Sequence, residues 1–382
     1  MFGLQPGEYQ VLAETRGGTY VPPNAPPESE DDRIGFLPTF YPGTADEGAA
    51  QRVRARAGAE TSGIEIRLLQ GRLFHLSGFV SDSQGRPAAR ANGQLMLQSG
   101  GMSMPGFGFS TDEQGRFQMR NIPPGAYRLV VRQQSAPPGP DQRVGEPGEA
   151  VMVPVTIAGA DLENLALVTS PGATISGRVV FEQGTPSPPP TQMRVVGSPG
   201  DPQTMAGLQM TPSAIVQPDL TFTMKRLMGE LILRIGAAGQ SLKSVTVNGR
   251  DITDTPYEFK QNDSVVFTLT SRTSTVEGTV TDATGKPASD GGVILFSEDK
   301  ASWRPSSIRT RRTGIDPDGH YRLNSVLAGR YYLVALTRDR FGISLSDAES
   351  FEQLAKDATT IVVGEDEQRT VDLKIVATPV DR

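Results

Sequence analysis

The sequence contains no cysteine, which removes disulfides, thiolate nucleophiles and cysteine-ligated zinc. Histidine is nearly absent too: His75 is followed by Leu76, Ser77 and Gly78, and His320 by Tyr321, Arg322 and Leu323. One type of zinc peptidase holds its metal with a His-x-x-Glu pair and a distant histidine, beside a carboxylate base. Neither histidine has that neighbour, and both read as structural. There is no P-loop, no dinucleotide fingerprint and no G-x-S-x-G elbow. No apolar run approaches the roughly 18 residues of a membrane-crossing helix, and the opening MFGLQPGEYQ has neither the basic nor the apolar stretch of an export signal. An excess of one charge is missing as well: 37 Lys and Arg are interleaved with 43 Asp and Glu, for a net charge of -6. Such a surface is no nucleic-acid platform and no polybasic membrane patch.

What is present is turn chemistry and repetition. The 42 glycines and 30 prolines among 382 residues predict many tight turns, and the length accommodates about two to four domains. Three segments open alike: LSGFVSDSQGRP from Leu76, ISGRVVFEQGTP from Ile175 and VEGTVTDATGKP from Val276. Their glycines, Gly78, Gly177 and Gly278, stand 99 and 101 residues apart. A second set follows in the same order, ending at Gly125, Gly229 and Gly329, which lie 47, 52 and 51 residues after the opening glycines. A period of that size is one small domain per repeat. Within a repeat, Val276, Gly278 and Val280 alternate on one face, Asp316-Pro317-Asp318-Gly319 reads as a turn, and Tyr331 to Leu336 is an apolar run of strand length. The expected fold is therefore all-β, a tandem array of sandwiches. One exception is the helical pattern of residues 347–358, with Phe351 and Leu354 on one side.

These patterns divide the chain into 1–72, 73–172, 173–273 and 274–382. In the first part, Leu4-Gln5-Pro6-Gly7-Glu8-Tyr9 matches the second-half motif of the other repeats. Its opening strands are expected upstream of Met1, in a longer chain, or on a partner. SGIEIRL after Ser62 is expected to be its closing strand, and the Pro-rich stretches at Thr19–Thr39, Gln134–Gly148 and Gly184–Pro190 are expected to be loops.

S-G-x-V-x-D-x-x-G-x-P at the start, D-x-x-G-x-F/Y in the middle and L-P-P-G-x-Y near the next strand together resemble the carboxypeptidase regulatory-like domain, a transthyretin-like (prealbumin-like) β-sandwich. The likeness is closest over Leu76–Arg132 and Val276–Leu336 and weakest in the third repeat. There Asp219-Leu220-Thr221-Phe222 lacks the turn glycine, and Met228-Gly229-Glu230-Leu231 lacks the Pro and Tyr. LKSVTVNGRDITDTPYEF from Leu242 is similar to an element of large multi-repeat proteins of acidobacteria. The resemblance implies a bacterial, exported (periplasmic or extracellular) protein and a module without catalytic groups, which in metallocarboxypeptidases sits beside the peptidase domain.

The reading that follows is a non-catalytic structural or interaction protein, with other proteins or a polysaccharide as partners and no cofactor. The alternatives are a carbohydrate-binding module of the starch-binding-like fold and, last, an accessory region of a peptidase. The candidate ligand-binding loop is Asp299–Pro305, where Trp303 and Arg304 are followed by Arg309, Arg311 and Arg312. An indole beside guanidinium groups suits a sugar ring or an anionic polymer, and the structural alternative packs Trp303 against the sheet. Gly100–Phe109, read as a flexible apolar loop, is a second candidate contact. Asp82, Asp112, Asp282, Asp316 and Asp318 lie in repeated turns and are expected to cap backbone N–H groups.

Overall fold

The computed structural model describes residues 4, 7–14, 19–20, 33–56, 59–99, 102–134, 148–184, 193–200, 211–304, 306–341, 345 and 348–376. Strands dominate them, and the all-β class expected from the sequence is the class observed. The chain divides into two compact units, Met1–Ala173 with Asp201–Thr211, and Thr174–Gly200 with Pro212–Arg382.

In the first unit, three two-stranded antiparallel ribbons come first: Gly7–Tyr9 with Val53–Ala55, Leu12–Ala13 with Thr39–Phe40, and Ile34–Phe36 with Gln70–Arg72. A complete sandwich follows. One of its sheets orders Met102–Ser110, Asn92–Ser99, Gly125–Arg132 and Ala150–Ile157, all antiparallel. The other orders Leu162–Val168, Phe74–Ser81, Arg116–Ile122 and Thr19–Tyr20, with the first pair parallel. Leu76, Val80, Leu95, Met119, Leu129 and Val131 fill the space between them.

The second unit holds two sandwiches. In one, Thr221–Leu227, Ala173–Phe181, Ser264–Thr270, Ser241–Val247 and Arg250–Asp251 face Ser213–Ile215, Arg194–Pro199, Glu230–Gly236 and Tyr257–Glu258. In the other, a single sheet winds from Arg311–Gly314 through Gly292–Ser297, Gly329–Leu336, Leu373–Val376 and Ser274–Thr281 to His320–Val326. Leu373–Val376 runs parallel to both of its neighbours and so joins the two layers. A second apolar cluster lies beyond this sandwich's main core, where Ile294, Phe296, Val334 and Leu336 meet Phe351 and Leu354 of the helix Ala348–Asp357. The expected helix is therefore present with its expected face inward. A single helical turn at Arg338–Phe341 was not foreseen, since four residues carry no periodic signal.

The repeated motif residues now have physical reasons. A Cβ on Gly78 would lie 2.2 Å from Leu165 O and 2.8 Å from the Phe117 ring. On Gly177 it would lie 2.2 Å from Phe222 and 2.6 Å from Val265 O, and on Gly278 2.0 Å from Val371 O. Each sandwich thus turns a carbonyl toward a glycine, from the parallel strand at Leu165 and Val265 and from the link between two parallel strands at Val371, with an aromatic residue of the adjoining strand beside it. Phe117 and Tyr321 stand directly opposite Gly78 and Gly278 in the ladder, and Tyr321 donates its hydroxyl to Val371 O at 2.7 Å. Aromatic cover of a strand glycine restores the packing that the missing side chain gives up. The repeated G-x-Y element before the next strand is a tyrosine corner: Tyr127 and Tyr331 donate to the carbonyls four residues upstream, Pro123 and Leu327, each at 2.8 Å.

Two expectations need revision. Residues 61–69 carry no ladder pairing; they make single bonds such as Arg67 N to Pro42 O, and the strand that pairs here is Gln70–Arg72. Ile64 and Leu68 stay exposed, so the alternation of SGIEIRL has no sheet to face. Gly100–Phe109 is not a loop from Met102 onward but an edge strand paired with Asn92–Ser99. Its glycine content misled because Gly93, on the partner strand, makes room for Phe109: a Cβ there would fall 2.0 Å from that ring. The Pro-rich stretches at 21–32, 135–147 and 185–190 lie outside the described residues.

Gly278→Ala is expected to lower unfolding free energy by about 1–3 kcal/mol, the usual cost of forcing extra volume into a packed site. Gly108→Ala, whose Cβ would have only a 3.8 Å contact, is expected to stay within about 0.5 kcal/mol of wild type. Urea unfolding of the two variants checks the pair.

Candidate functional site

Each turn motif places a carboxylate over backbone donors. Asp82 Oδ1 accepts from Gln84 N and Arg86 N at 2.9 and 2.8 Å, and Asp112 Oδ1 from Gln114 N and Arg116 N at 2.9 and 2.8 Å. Asp282 Oδ1 accepts from Thr284 N and Lys286 N at 2.8 and 3.0 Å, and Asp316 Oδ1 from Asp318 N and His320 N at 3.0 and 2.7 Å. Gly85, Gly115, Gly285 and Gly319 close these turns at positive φ. In the third repeat Leu220 takes that place at φ 66°, so the turn survives the loss of its glycine with a strained residue.

The proposed ligand-binding residues do not share one open face. Trp303 is 7% exposed. Its indole N–H donates to Ser297 O at 2.7 Å, its ring stacks on Phe351 with centroids 5.9 Å apart, and Phe296 meets it edge-on. The Lys300 ammonium lies 5.1 Å from the ring centroid and pairs with Glu352. The indole thereby fastens the helix to the sheet and presents no free stacking surface. Arg304 enters the turn in which Ser307 N donates to Arg304 O. Arg309 donates to Ala328 O and the Tyr331 hydroxyl at 3.2 and 3.3 Å. Arg311 donates to Ile308 O, Thr310 O and Ser325 O. Arg312 lies over the Phe341 ring at 4.7 Å and donates to Phe341 O. Of the second candidate, Phe109 is buried and stacked on Phe117 at 4.4 Å, and Phe107 leans on Tyr127; the side chains of Met102 and Met104 lie outside the described residues.

Sequence reasoning missed Arg234, Asp254 and Ser307. Arg234 interrupts the apolar strand ELILRIG, and a charge in a core strand requires a buried partner, which was the available signal. That partner is Asp254 at 2.6 Å, with side-chain exposures of 23% and 10%. Ser307 donates to Asp254 Oδ2 at 2.6 Å.

His75 is a half-buried strand residue whose backbone N–H donates to Asp161 Oδ1 at 2.9 Å, while Arg33 pairs with the same carboxylate at 3.1 Å. His320 opens an exposed edge strand. Among the described residues no group of three His, Cys, Asp or Glu is placed to hold a metal ion. A polar groove of about 640 Å³ is lined by Glu277, Thr279, Asp316, His320, Arg322 and Asp372, among others. Its carboxylates are already engaged: Glu277 with Arg322, Asp316 with its turn, Asp372 with both the N–H and hydroxyl of Thr279.

These hydrogen bonds set the acid behaviour. The Thr284 hydroxyl and Lys286 N–H hold Asp282 below the usual carboxylate range. Asp372 is lowered by the Thr279 hydroxyl and N–H, and Asp219 by Thr221. Burial raises Asp82, but the donors of Arg86 and Gln84 together outweigh it and leave it lowered.

Residues 75–156 match the family model of the carboxypeptidase regulatory-like domain. No curated protein matches the chain. Among solved structures, the Bacillus anthracis TIE protein is 10% identical over 98% of this chain, at a TM-score of 0.20, and this chain spans 60% of its length. The full-length major pilin SpaD from Corynebacterium diphtheriae is 13% identical, covering 80% of this chain and 98% of its own, at 0.20. A putative carbohydrate binding protein from Pseudomonas aeruginosa is 15% identical, covering 25% and 86%, at 0.18. None of these superpositions is close enough to carry an inference about this chain.

Two outcomes are expected. Trp303→Ala opens a cavity between helix and sheet and lowers stability by about 3–5 kcal/mol, with loss of helix signal in circular dichroism; an unaffected midpoint contradicts the packing role. Because folded carboxylates titrate below their unfolded value of about 3.9, the unfolded chain binds more protons on acidification. The thermal midpoint should therefore be flat from pH 7 to about 5 and fall steadily below about pH 4. A midpoint unchanged at pH 2 would contradict these assignments.

Proposed function

We propose that this chain is a non-catalytic structural and interaction protein, built as an array of carboxypeptidase regulatory-like sandwiches. The observation that carries the reading is the use of the recurring motif residues. The aspartates cap turns, the glycines admit carbonyls and the tyrosines tie corners, so the residues that repeat serve the fold. The family match over 75–156 points the same way.

The array divides, on this reading, into 1–72, 73–172, 173–273 and 274–382. Its partners are other proteins, met through loops and strand edges. No helix among the described residues is long and apolar enough to cross a membrane. An exported location follows from the resemblance to multi-repeat exported proteins, and fractionation of the native cells tests it.

Purified full-length protein is expected to show no turnover of peptide, ester or glycoside substrates at high protein concentration. Sustained turnover that copurifies with the chain overturns the proposal. On a glycan panel, Trp303→Phe, which keeps an aromatic ring in the buried site, should bind no differently from wild type. Selective loss of a glycan by that variant would instead support sugar stacking at this loop.

A further inference from the structure

The two sandwiches of the second unit, lying in the third (173–273) and fourth (274–382) parts of the chain and numbered by them below, are joined within that one compact unit by a half-buried polar cluster. Asp254, in the third, lies at its centre. Its Oδ1 accepts from Arg234 Nη2 at 2.6 Å and from the backbone N–H of Ile308 at 3.1 Å, while Oδ2 accepts from the Ser307 hydroxyl at 2.6 Å. Arg234 Nη2 also donates to Ser306 O at 2.6 Å, and Nη1 to Thr253 O at 2.6 Å. One ion pair of the third sandwich thus holds three consecutive residues of the fourth, Ser306, Ser307 and Ile308. Ser307 is 5% exposed.

From there the joint runs into the fourth sandwich's frame. Arg309 N donates to Ser307 Oγ, and the Arg309 guanidinium reaches the Tyr331 hydroxyl that closes the corner on Leu327 O. Arg311 binds Ile308 O and Ser325 O together. At the short connector between the sandwiches, Arg272 donates to Gln183 O on the third sandwich and to Glu365 on the fourth, at 3.2 and 3.4 Å. A flexible connector would need neither contact.

We infer that the Arg234–Asp254 pair couples the third and fourth sandwiches into one cooperative folding body, anchoring the 306–311 segment so that the fourth sandwich draws stability from the third. Partial burial strengthens the coupling, since side-chain exposures of 23% and 10% leave little room for water to replace a lost partner. A charge pair sheltered from water cannot exchange its partners for solvent at little cost, so losing one member leaves the other uncompensated. An exposed pair would carry almost none of this coupling. The inference does not depend on what the array binds.

The chain's single tryptophan, Trp303, sits in the fourth sandwich and reports its unfolding by fluorescence in the intact protein. Asp254→Ala lies in the other sandwich and touches neither Trp303 nor its ring neighbours. It is expected to lower the thermal midpoint seen by Trp303 by at least about 5 °C, the shift that follows from a loss of this class in a domain-sized body. Ser307→Ala, which removes only the hydroxyl, is expected to lower it less, and the double variant should fall short of the sum of the two shifts. A Trp303 midpoint within about 1 °C of wild type in Asp254→Ala, alongside an earlier separate transition in circular dichroism, means independent sandwiches and overturns the inference. If Asp254→Ala does not fold, Ser307→Ala combined with Arg234→Met decides: additive shifts overturn the coupling and non-additive shifts support it.

Discussion

An inward-facing carbonyl opposite a glycine is the contact on which each sandwich depends. The carbonyl comes from a strand parallel to the opening strand, or in the fourth sandwich from the link between two such strands, and a Cβ at the glycine would hold the two segments apart. The adjoining aromatic then covers the gap, so one missing side chain permits the parallel pairing, the aromatic packing and, in the fourth sandwich, the tyrosine hydroxyl bond. Polar backbone inside a sandwich is costly unless it finds a donor. Tyr321 supplies that donor, whereas Phe117 and Phe222 stand at the same place without one.

Around that contact the remaining polar groups are arranged for closure. Turn aspartates satisfy N–H groups that the bends leave without ladder partners. The tyrosine corners fix the angle at which the chain enters its next strand. In the fourth sandwich the outer face of one sheet is covered in turn by a helix and an indole, giving it a second apolar layer that the sandwich of residues 74–168 does not show among its described residues. The arginines near Trp303 then serve carbonyls and the Phe341 ring.

Much of this was legible in residue order. Repeated glycines, D-x-x-G turns and alternating strands announced the fold class, and Phe351 with Leu354 announced the helix and its buried side. Legibility ended where geometry was imposed by partners distant in sequence. Asn121, Arg226 and Ser325 each stand four residues after the aromatic that faces the opening glycine, and all take positive φ, at 61°, 67° and 58°. Only asparagine among them signals that conformation locally; at Ser325 a register shift at the strand end accompanies it. Trp303 looked like a ligand platform because its loop is polar, yet Phe296 and Phe351, far apart in the chain, enclose it. Arg234 carried a signal that only its buried environment made meaningful.

The strand Leu373–Val376 has a further consequence for how the protein is made. It supplies the seam between Gly329–Leu336 and Ser274–Thr281, strands that precede it by dozens of residues. A polypeptide emerging amino end first, from a ribosome or through a translocon, holds those two layers unsealed until Val376 has passed. The sandwich of residues 274–376 is therefore completed only once that strand has emerged, while the sandwich of residues 74–168 has its strands available long before.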